Sequence, residues 1–394
     1  MPESSLVDSF SPPNEFSQKK SFIEEILRIP FTENNYIRIL ENGEEIFQTI
    51  LNSVSSARKI IFIEFYLFKD DDTGNTLAEL LKEKSREGVT VYLLYDHFGS
   101  LLTSKDFWSE LKKAGIKYHV SHPFKLFSPR RYIYRNHKKL LIVDGEKAFT
   151  GGFNIADEYH GFIKKKQKTW RDIGIYLEGP IVHSLSELFM KSWRRWKGIP
   201  IEFDSKTEYS MTGIQAIPIF ASTGRARRRM RRLLIQSIKN SKNNIYITTA
   251  YFLPSRKLFE ALEHAAKRGV LITLLLPGKS DIKSVYYASR AYYSKLLSAG
   301  VRIYNYQGTV LHAKTAVFDG IWSIVGSTNL DFQSLSRNDE SNVGILDKSF
   351  SSKMIEVFNN DLQQSTKIIG DTWANRPFHQ KILEKVFSFI LKQI

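Results

Sequence analysis

Two stretches of the chain carry the same reactive side chains at the same spacing. They are HKKLLIVDGEKAFTGGFN, which begins at His137, and HAKTAVFDGIWSIVGSTN, which begins at His312. The shared pattern is His, one residue, Lys, four residues, Asp, six residues, Gly, then Gly or Ser, one residue, and Asn. A histidine and a lysine two residues apart on a strand project from the same face, so Lys139 and Lys314 can each assist their histidine on one anionic group.

The repeated motif predicts a phosphate site with two histidines beside it. The ammonium and carboxamide groups of each motif can neutralise and hydrogen-bond phosphate oxygens. Two imidazoles can then share a covalent displacement, in which one attacks phosphorus and the other protonates the leaving alkoxide and later deprotonates the incoming alcohol. The residues expected around the phosphate are Lys139, Lys314, Asn154 and Asn329, next to the small residues Gly152 and Ser327.

The aspartate of each motif is predicted to form a turn. Asp-Gly between two apolar runs is a strong signal for a two-residue hairpin turn, and it occurs at Asp144 and at Asp319. In that register each histidine lies opposite the Gly152 or Ser327 of its own motif. The aspartate stands seven residues from the histidine, which is about 20 Å along a strand, so it should lie away from the phosphate.

A nucleophilic histidine needs an acceptor for its second nitrogen, so that the first nitrogen stays free to attack. Asp172 in TWRD and Glu340 in SRNDE each follow the asparagine of their motif, and they are predicted to orient the histidines. Most single histidines in proteins are structural. That is the interpretation for His119, His122, His160, His183, His264 and His379.

The segments around the motifs are also repeated, which predicts a duplicated domain. KIIFIEFYLF, REGVTVYLLYD and KKAGIKYHV in the first half correspond to NNIYITTAYFLP, KRGVLITLLLP and LSAGVRIYNY in the second. Each apolar run is typical of a buried strand, and the helical patterns between them end at Gly88 and Gly269. This alternation predicts an α/β fold of two pseudo-symmetric domains, each a mixed sheet flanked by helices, with the active site at their interface.

The predicted boundaries follow the composition of the chain. Residues 1–20 are rich in Ser and Pro and are predicted to be disordered. Residues 21–198 should form the first domain, 199–213 a linker, and 214–394 the second domain with a C-terminal amphipathic helix. We expect no signal peptide and no membrane span, because the most apolar run, residues 60–68, is short and contains Glu64.

The formal net charge of +16 indicates an anionic partner, such as acidic lipid, a phosphorylated substrate or nucleic acid. The lack of cysteine excludes disulfides, thiolate chemistry and Cys-based zinc sites. Six arginines stand at a predicted helix start, where cations oppose the helix dipole, so we expect them to bind lipid headgroups. They are Arg225, Arg227, Arg228, Arg229, Arg231 and Arg232.

Two further segments are candidates for membrane contact. The basic run Lys164–Lys168 falls between the first motif and Asp172, in a loop expected to border the site. The segment from Pro377 to the C-terminus is apolar on one face and basic on the other. It could lie in a membrane interface or pack on the body of the protein, and the sequence favours packing slightly.

These motifs resemble the signature of the phospholipase D superfamily, a duplicated HxKxxxxD motif followed by a GG/GS-x-N element. Within it, the chain is most similar to bacterial cardiolipin synthases of the phospholipase D type, through phrases such as RNHKKLLIVDG, GGFNIADEY and GSTNLDFQSLSRNDE. The resemblance runs from about residue 34 to about residue 350. It implies that His137 is the nucleophile and His312 the general acid and base. It also implies that the other charged residues of the signature belong to the catalytic set, namely Lys139, Lys314, Asp144 and Asp319.

The resemblance implies a covalent phosphatidyl-histidine intermediate that forms without a metal or other cofactor. It also implies transfer of a phosphatidyl group from one phosphatidylglycerol to another, with release of glycerol. Many such synthases carry an N-terminal membrane span, and none is expected here. We therefore expect a peripheral protein on the cytoplasmic side of the cell membrane, bound to anionic phospholipid. The alternative is a phosphodiesterase of the same superfamily, which uses water to hydrolyse phospholipid or nucleic acid.

Overall fold

The computed structural model describes residues 15–124, 133–160, 169–203 and 213–393. The elements up to the middle of the chain are α1 (Glu15–Leu27), β1 (Thr32–Leu40), α2 (Gly43–Ser55), β2 (Ile60–Phe65), α3 (Asp72–Arg86), β3 (Thr90–Asp96), α4 (Lys105–Lys113), β4 (Lys117–Ser121), β5 (Lys139–Val143), β6 (Lys147–Gly151), α5 (Asp157–His160), β7 (Gly174–Glu178) and α6 (Pro180–Arg195).

The remaining elements are β8 (Ile214–Phe220), α7 (Gly224–Asn240), β9 (Asn244–Thr248), β10 (Phe252–Leu253), α8 (Arg256–Lys267), β11 (Leu271–Pro277), α9 (Lys283–Arg290), α10 (Tyr293–Ser298), β12 (Arg302–Tyr306), β13 (Thr315–Phe318), β14 (Trp322–Gly326), β15 (Leu330–Asp331), α11 (Phe332–Ser336), β16 (Ser341–Leu346), α12 (Lys348–Gln363), β17 (Ser365–Lys367), α13 (Gly370–Ala374) and α14 (Phe378–Gln393). No helix within the described ranges has the length and apolar content that crossing a bilayer requires.

The strands of the two halves repeat the same order in space. The first half runs β1-β7-β6-β5-β2-β3-β4, and the second runs β8-β16-β14-β13-β9-β11-β12, followed by β17 at the edge. In each half three neighbouring strands are parallel, β2-β3-β4 and β9-β11-β12. Strands β1 and β8 pair antiparallel, so the two mixed sheets join into one sheet of 15 strands within the described ranges. The predicted α/β fold of two pseudo-symmetric halves is confirmed.

The repeated apolar runs form the strands that the sequence predicted. All residues of β2 are buried, and the matching run in the second half forms β9. Helices α3 and α8 end just before Gly88 and Gly269, which have φ angles of 94° and 92°. Only glycine adopts this left-handed conformation without steric cost, which is why both helices stop there.

In the part of the chain that the structure describes, three apolar cores surround the sheet. One lies under the helices of the first half, a second under those of the second half, and the third contains residues of both halves. The alternation within β5 illustrates this, because Leu141 belongs to the first core and Leu140 and Ile142 to the shared one. Each fully buried aliphatic side chain contributes about 1.5–3 kcal/mol relative to an exposed one, so the shared core fixes the halves relative to each other.

The hairpins of the two motifs differ from the predicted register by one residue. Asp144 and its glycine both have positive φ angles, and the amide of Glu146 donates to the Val143 carbonyl oxygen, as in the predicted turn. The ladder, however, pairs Val143 with Lys147, so Glu146 is an extra residue in the loop. The second motif behaves identically, with Phe318 paired to Trp322. The predicted pairing of each histidine with Gly152 or Ser327 was therefore wrong.

Helix α1 corrects the predicted boundaries. Residues 15–20 are helical, so the predicted disordered segment was too long, and residues 1–14 lie outside the described ranges. Ile23 and Ile26 are buried in the core of the second half. The Lys19 ammonium lies 3.2 Å from the Asp319 carboxylate. The amphipathic face of α1 is thus buried by the second half.

Candidate active site

Two backbone contacts bring the histidine of each half to a segment of the other half. The amide of His137 donates to the Asp339 carbonyl oxygen, and the amide of His312 donates to the Arg171 carbonyl oxygen, each at 2.8 Å. In both cases the residue before the histidine forms a parallel β-bridge with the same partner. Each partner immediately precedes a carboxylate residue that was predicted to orient a histidine. The two bridges are equivalent under the pseudo-symmetry of the fold.

Each histidine is held by the carboxylate of the opposite half. His312 Nδ1 lies 2.7 Å from Asp172 Oδ2, and His137 Nδ1 lies 3.1 and 3.2 Å from the two oxygens of Glu340. A neutral imidazole that donates from Nδ1 to a carboxylate carries its lone pair on Nε2. The arrangement therefore leaves the Nε2 atom of both histidines available for chemistry.

The small residues of the motifs make room for these carboxylates. A Cβ atom on Gly152 would lie only 2.2 Å from Asp172 Oδ1, so a larger residue would displace the carboxylate from His312. At the equivalent position of the second half, the Ser327 hydroxyl donates to Glu340 Oε2. Gly152 and Ser327 thus lie beside the carboxylates: Gly152 leaves space for Asp172, and Ser327 hydrogen-bonds Glu340.

The two carboxylates have opposite electrostatic environments. Burial works to raise the pKa of Asp172, but the Lys314 charge and the His312 hydrogen bond outweigh it and hold this pKa below its usual value. Burial raises the pKa of Glu340 to about 8, against the opposing effect of Lys139. Asp172 is therefore ionised at neutral pH, whereas burial favours the protonated form of Glu340.

The two lysines of the motifs are buried between these groups. Burial lowers the pKa of Lys139 well below its usual range, and it lowers the pKa of Lys314 to about 8. Their Nζ atoms donate to the carbonyl oxygens of His137 and His312 respectively. A bound phosphodiester would place a negative charge beside both ammonium groups and stabilise their protonated forms.

Burial also keeps both histidines neutral. It lowers the pKa of His312 to about 4, assisted by the Lys314 charge, although the hydrogen bond to Asp172 acts in the opposite direction. Burial, followed by the charges of Lys139 and Lys314, holds the pKa of His137 well below its usual value. A phosphodiester anion would offset the two lysine charges and so raise the pKa of an imidazole that must protonate a leaving group.

The two asparagines are fixed by the loops that follow the central strands. Asn154 Oδ1 accepts from the amide of Leu67 at 3.3 Å, and its Nδ2 donates to the Tyr159 hydroxyl at 2.8 Å. Asn329 Oδ1 accepts from the amide of Tyr251 at 3.3 Å. Both asparagines line the same cavity as the histidines, which fits the predicted role as phosphate ligands.

The aspartates of the motifs lie elsewhere. The Asp144 carboxylate accepts three backbone amides at 2.7–2.9 Å, those of Arg58, Lys59 and Ile60. The Asp319 carboxylate accepts the amides of Lys242, Asn243 and Asn244. Both therefore tie the turn to the loop that leads into the central strand of their half. This placement does not support the inclusion of Asp144 and Asp319 among the catalytic residues, and it fits their predicted role as turn residues.

The histidines open into one large cavity of about 1200 Å³. This volume exceeds the range of about 300–1,000 Å³ that is typical of drug-sized ligands. Polar groups converge near the histidines, and the wall toward α8, α9 and α14 carries apolar side chains beside charged ones such as Arg256, Glu260 and Glu263. The apolar ones include Leu253, Phe259, Ile282, Val285 and Leu391. The cavity can hold a phosphate at one end and apolar chains at the other.

A family described as "Cardiolipin synthase, PLD-like domain" matches residues 50–193 and 234–362, more than half of the chain. The chain belongs to this cardiolipin synthase family. It is 34% identical to cardiolipin synthase 2 of Bacillus cereus over 360 residues, which cover 90% of this chain and 70% of that protein. It is 35% identical to the major cardiolipin synthase ClsA of Bacillus subtilis over 363 residues, with 90% and 75% coverage.

The crystal structure of phosphatidylserine synthase from Haemophilus influenzae has the same fold. The TM-score is 0.73, and the match covers 94% of this chain and 98% of that one at 14% sequence identity. The family and the fold therefore agree with the resemblance found in the sequence. Within the described ranges of this family member, no group of three or more His, Asp or Glu side chains is arranged to hold a metal ion.

Aromatic side chains complete the site of this cardiolipin synthase family member, and the sequence analysis did not assign them. The Tyr66 ring lies 5.2 Å from the His137 ring. The Tyr159 and Trp170 rings lie 5.2 and 5.4 Å from the His312 ring. The signal was available, since all three stand in the phrases IEFYLF, GGFNIADEY and TWRD. Aromatic residues are so common in protein cores, however, that their position in the sequence alone does not distinguish an active-site residue from a core residue.

The arginine cluster is divided by the packing of α7. Arg227 is buried, and its Nη2 atom lies 2.5 Å from the Asp339 carboxylate. Arg229 donates to the Leu27 carbonyl oxygen and Arg231 to the Ser336 hydroxyl. The residues left exposed are Arg225, Arg228 and Arg232. Arg227 is therefore unavailable to lipid headgroups, because it lies on the face of the helix that packs on the protein.

Proposed function

We propose that this protein is a cardiolipin synthase, which transfers the phosphatidyl group of one phosphatidylglycerol to a second and releases glycerol. The observation that carries this proposal is the pair of histidines in one cavity, each held by a carboxylate of the opposite half. Its family relatives bear that name, and the apolar wall of the cavity suits a lipid better than a nucleotide.

In the first half-reaction, His137 Nε2 attacks the phosphorus of phosphatidylglycerol. The bond between phosphorus and the glycerol oxygen breaks, and glycerol takes a proton from His312. Lys139 and Lys314 balance the charge of the phosphate oxygens, and Asn154 supports them by hydrogen bonding. The assignment of His137 as nucleophile follows the family resemblance.

In the second half-reaction, a glycerol hydroxyl of another phosphatidylglycerol attacks the phosphatidyl-histidine. His312 accepts the hydroxyl proton, the bond from phosphorus to His137 Nε2 breaks, and cardiolipin leaves. Asp172 stabilises the imidazolium that forms on His312 in each cycle, because an ionised carboxylate at 2.7 Å favours the charged ring. The cycle exchanges one phosphodiester for another and needs no energy source.

We further propose that the protein acts as a peripheral protein on anionic lipid at the cytoplasmic side of the cell membrane. Arg225, Arg228 and Arg232 are exposed at spacings of three and four residues, so they share one helix face. Each basic residue near an acidic surface contributes about 1 kcal/mol, within a Debye length of about 8 Å at physiological salt. Their joint replacement by Gln should weaken binding at low salt and reduce its salt dependence.

The deciding experiment incubates the purified protein with phosphatidylglycerol vesicles and separates the products. Cardiolipin and glycerol in equal amounts support the proposal. Phosphatidic acid and glycerol without cardiolipin would replace it with hydrolysis, and cleavage of a nucleic acid at a higher rate than of lipid would replace the substrate class. His137→Ala is the control, since it lacks the proposed nucleophile and should give none of these products and no covalent phosphatidyl-histidine.

A further inference from the structure

Helix α14 carries its apolar side chains on the outside. Phe378, Ile382, Val386, Phe389 and Ile390 are between 44% and 76% exposed. Their spacings of four, four, three and one residues place them on one side of the helix. A surface helix normally buries such a stripe against the body of the protein. The stripe of α14 therefore faces away from the body.

The inner face of α14 carries a buried ion-pair cluster. Glu384 is almost fully buried, and its carboxylate pairs with Arg290 at 3.0 Å and with Arg376 at 2.5 Å. Both guanidinium groups lie over the Trp373 ring, at 4.6 and 4.3 Å from its centroid. Arg290 also donates to Gln380 on the same helix. Phe387 adds an aromatic contact, since its ring stacks on that of Tyr287 with the centroids 6.1 Å apart. The helix is thus attached to the body by ionic, polar and aromatic contacts of its inner face, which leave the apolar stripe unused.

The same helix borders the cavity of the active site. Ser388 and Leu391 line the cavity that holds His137 and His312. Another lining residue, Phe332, is 46% exposed. On the proposed function, a phospholipid whose phosphate lies at the histidines must direct its acyl chains along the apolar wall. The cavity and the outer stripe of α14 then lie next to each other.

The charge of the helix indicates the nature of the surface that covers the stripe. Glu384 is the only carboxylate of α14, and it is turned inward. Lys385 is exposed beside the stripe. An apolar stripe flanked by cations without exposed acids matches the interface of an anionic bilayer, where apolar side chains enter the acyl boundary and lysines meet the headgroups.

We propose that α14 lies in the interface of an anionic phospholipid bilayer with its stripe toward the acyl chains, and that it places the apolar end of the cavity at the lipid surface. The sequence favoured packing for this segment. The helix does pack on the body, but through its inner face, and the apolar stripe stays exposed. This inference rests on the proposed function for the identity of the lipid, while the binding of α14 to vesicles can be measured separately.

The test compares the partition of the full chain onto phosphatidylglycerol and phosphatidylcholine vesicles. The variant Phe378→Ser/Phe389→Ser should lower the partition onto phosphatidylglycerol roughly tenfold or more, because two large apolar side chains are lost from the bilayer. The control Ile199→Ser/Leu271→Ser removes two other exposed apolar residues, which lie outside α14, and it should bind like the parent. Turnover of a soluble short-chain phosphodiester should be unchanged in both variants.

A depth measurement gives a second readout. The chain has no cysteine, so Phe389→Cys and Leu271→Cys each accept a single spin label. The label at 389 should be protected from an aqueous relaxation agent on vesicles, and the label at 271 should stay accessible. Parent-like vesicle binding of the Phe378→Ser/Phe389→Ser variant overturns the proposal. Normal vesicle binding without cardiolipin formation would overturn the proposed function alone.

Discussion

The exchange of carboxylates between the halves predicts which chemical step each carboxylate serves. Asp172 lies in the first half but holds His312, and Glu340 lies in the second half but holds His137. With His137 as nucleophile and His312 as acid, Asp172→Asn should impair protonation of the leaving group. Glu340→Gln should impair attack on phosphorus. Pairing within each half would predict the reverse.

The magnitudes follow from the two contacts. The 2.7 Å contact of Asp172 is a buried hydrogen bond to an ionised group, worth about 1.5–3 kcal/mol. At 1.36 kcal/mol for each factor of ten, Asp172→Asn should slow the step about 10- to 150-fold. The contacts of Glu340 are longer, and burial raises its pKa to about 8. A loss of about 0.5–1.5 kcal/mol, or roughly 2- to 12-fold, is expected for Glu340→Gln.

Two substrates separate the steps in single-turnover experiments. Phosphatidylglycerol has a poor leaving group that must be protonated, whereas a p-nitrophenyl phosphodiester has a leaving group that departs without a proton. Asp172→Asn should show its full loss only with phosphatidylglycerol. Glu340→Gln should lose the same factor with both substrates. Glu263→Gln, which alters a carboxylate that lines the cavity, is the matched control and should behave like the parent.

The site of the covalent adduct must be mapped by mass spectrometry in the same samples. With the adduct on His137, a large loss of nitrophenol release in Asp172→Asn and none in Glu340→Gln would refute the exchanged pairing. With the adduct on His312, the same kinetic pattern would instead reverse the roles of the two histidines. Thermal unfolding of each variant checks that the native fold is retained.

Three further outcomes are expected. Asp144→Asn and Asp319→Asn should lower the free energy of unfolding by about 1–3 kcal/mol, because each weakens contacts to backbone amides; a folded variant as inactive as a histidine variant would contradict this role. The buried Lys138 ammonium lies 2.8 Å from the Glu64 carboxylate. Glu64→Gln removes this charged partner, so it should lower the free energy of unfolding by about 3–5 kcal/mol in chemical denaturation. An unchanged denaturation midpoint would contradict an ion pair at this position. Burial lowers the pKa of His312 from 6.5 to about 4, so the unfolded chain binds a proton in this interval that the native protein does not. Stability should therefore fall by up to about 1.4 kcal/mol per unit as the pH drops from about 6.5 to about 4, and less steeply in His312→Asn; equal slopes would exclude this titration as the cause.

The extra loop residue Glu146 shows that the turn could be predicted from local sequence but the strand register could not. The Asp-Gly signal predicted the turn and its positive φ angles correctly, because both depend only on the turn residues themselves. The register depends on whether the next residue joins the ladder. Glu146 remains outside it in the first motif, and the pairing with the neighbouring strands decides this.

The burial of individual side chains was likewise not predictable from the sequence, as the neighbours Arg227 and Arg228 and the neighbours Lys138 and Lys139 show. Arg227 and Arg228 are adjacent and identical in type, yet one is buried against Asp339 and the other is exposed. Lys138 pairs with Glu64 in the core, whereas Lys139 lies in the site. The sequence cannot tell such neighbours apart, because the rotation of an element is set by the apolar residues that it buries.

By itself, the sequence determined the duplicated α/β architecture, the strands and the helix ends at Gly88 and Gly269, and it predicted the reactive residues of both motifs. These features follow from periodicity, turn chemistry and internal repetition, which act over a few residues at a time. Only the tertiary structure decided that His137 meets Glu340 and that His312 meets Asp172, since the halves contact each other through a shared core. It likewise decided that α1 completes the second half and that α14 turns its apolar face outward, because the partner of an amphipathic face is chosen by the burial available in three dimensions.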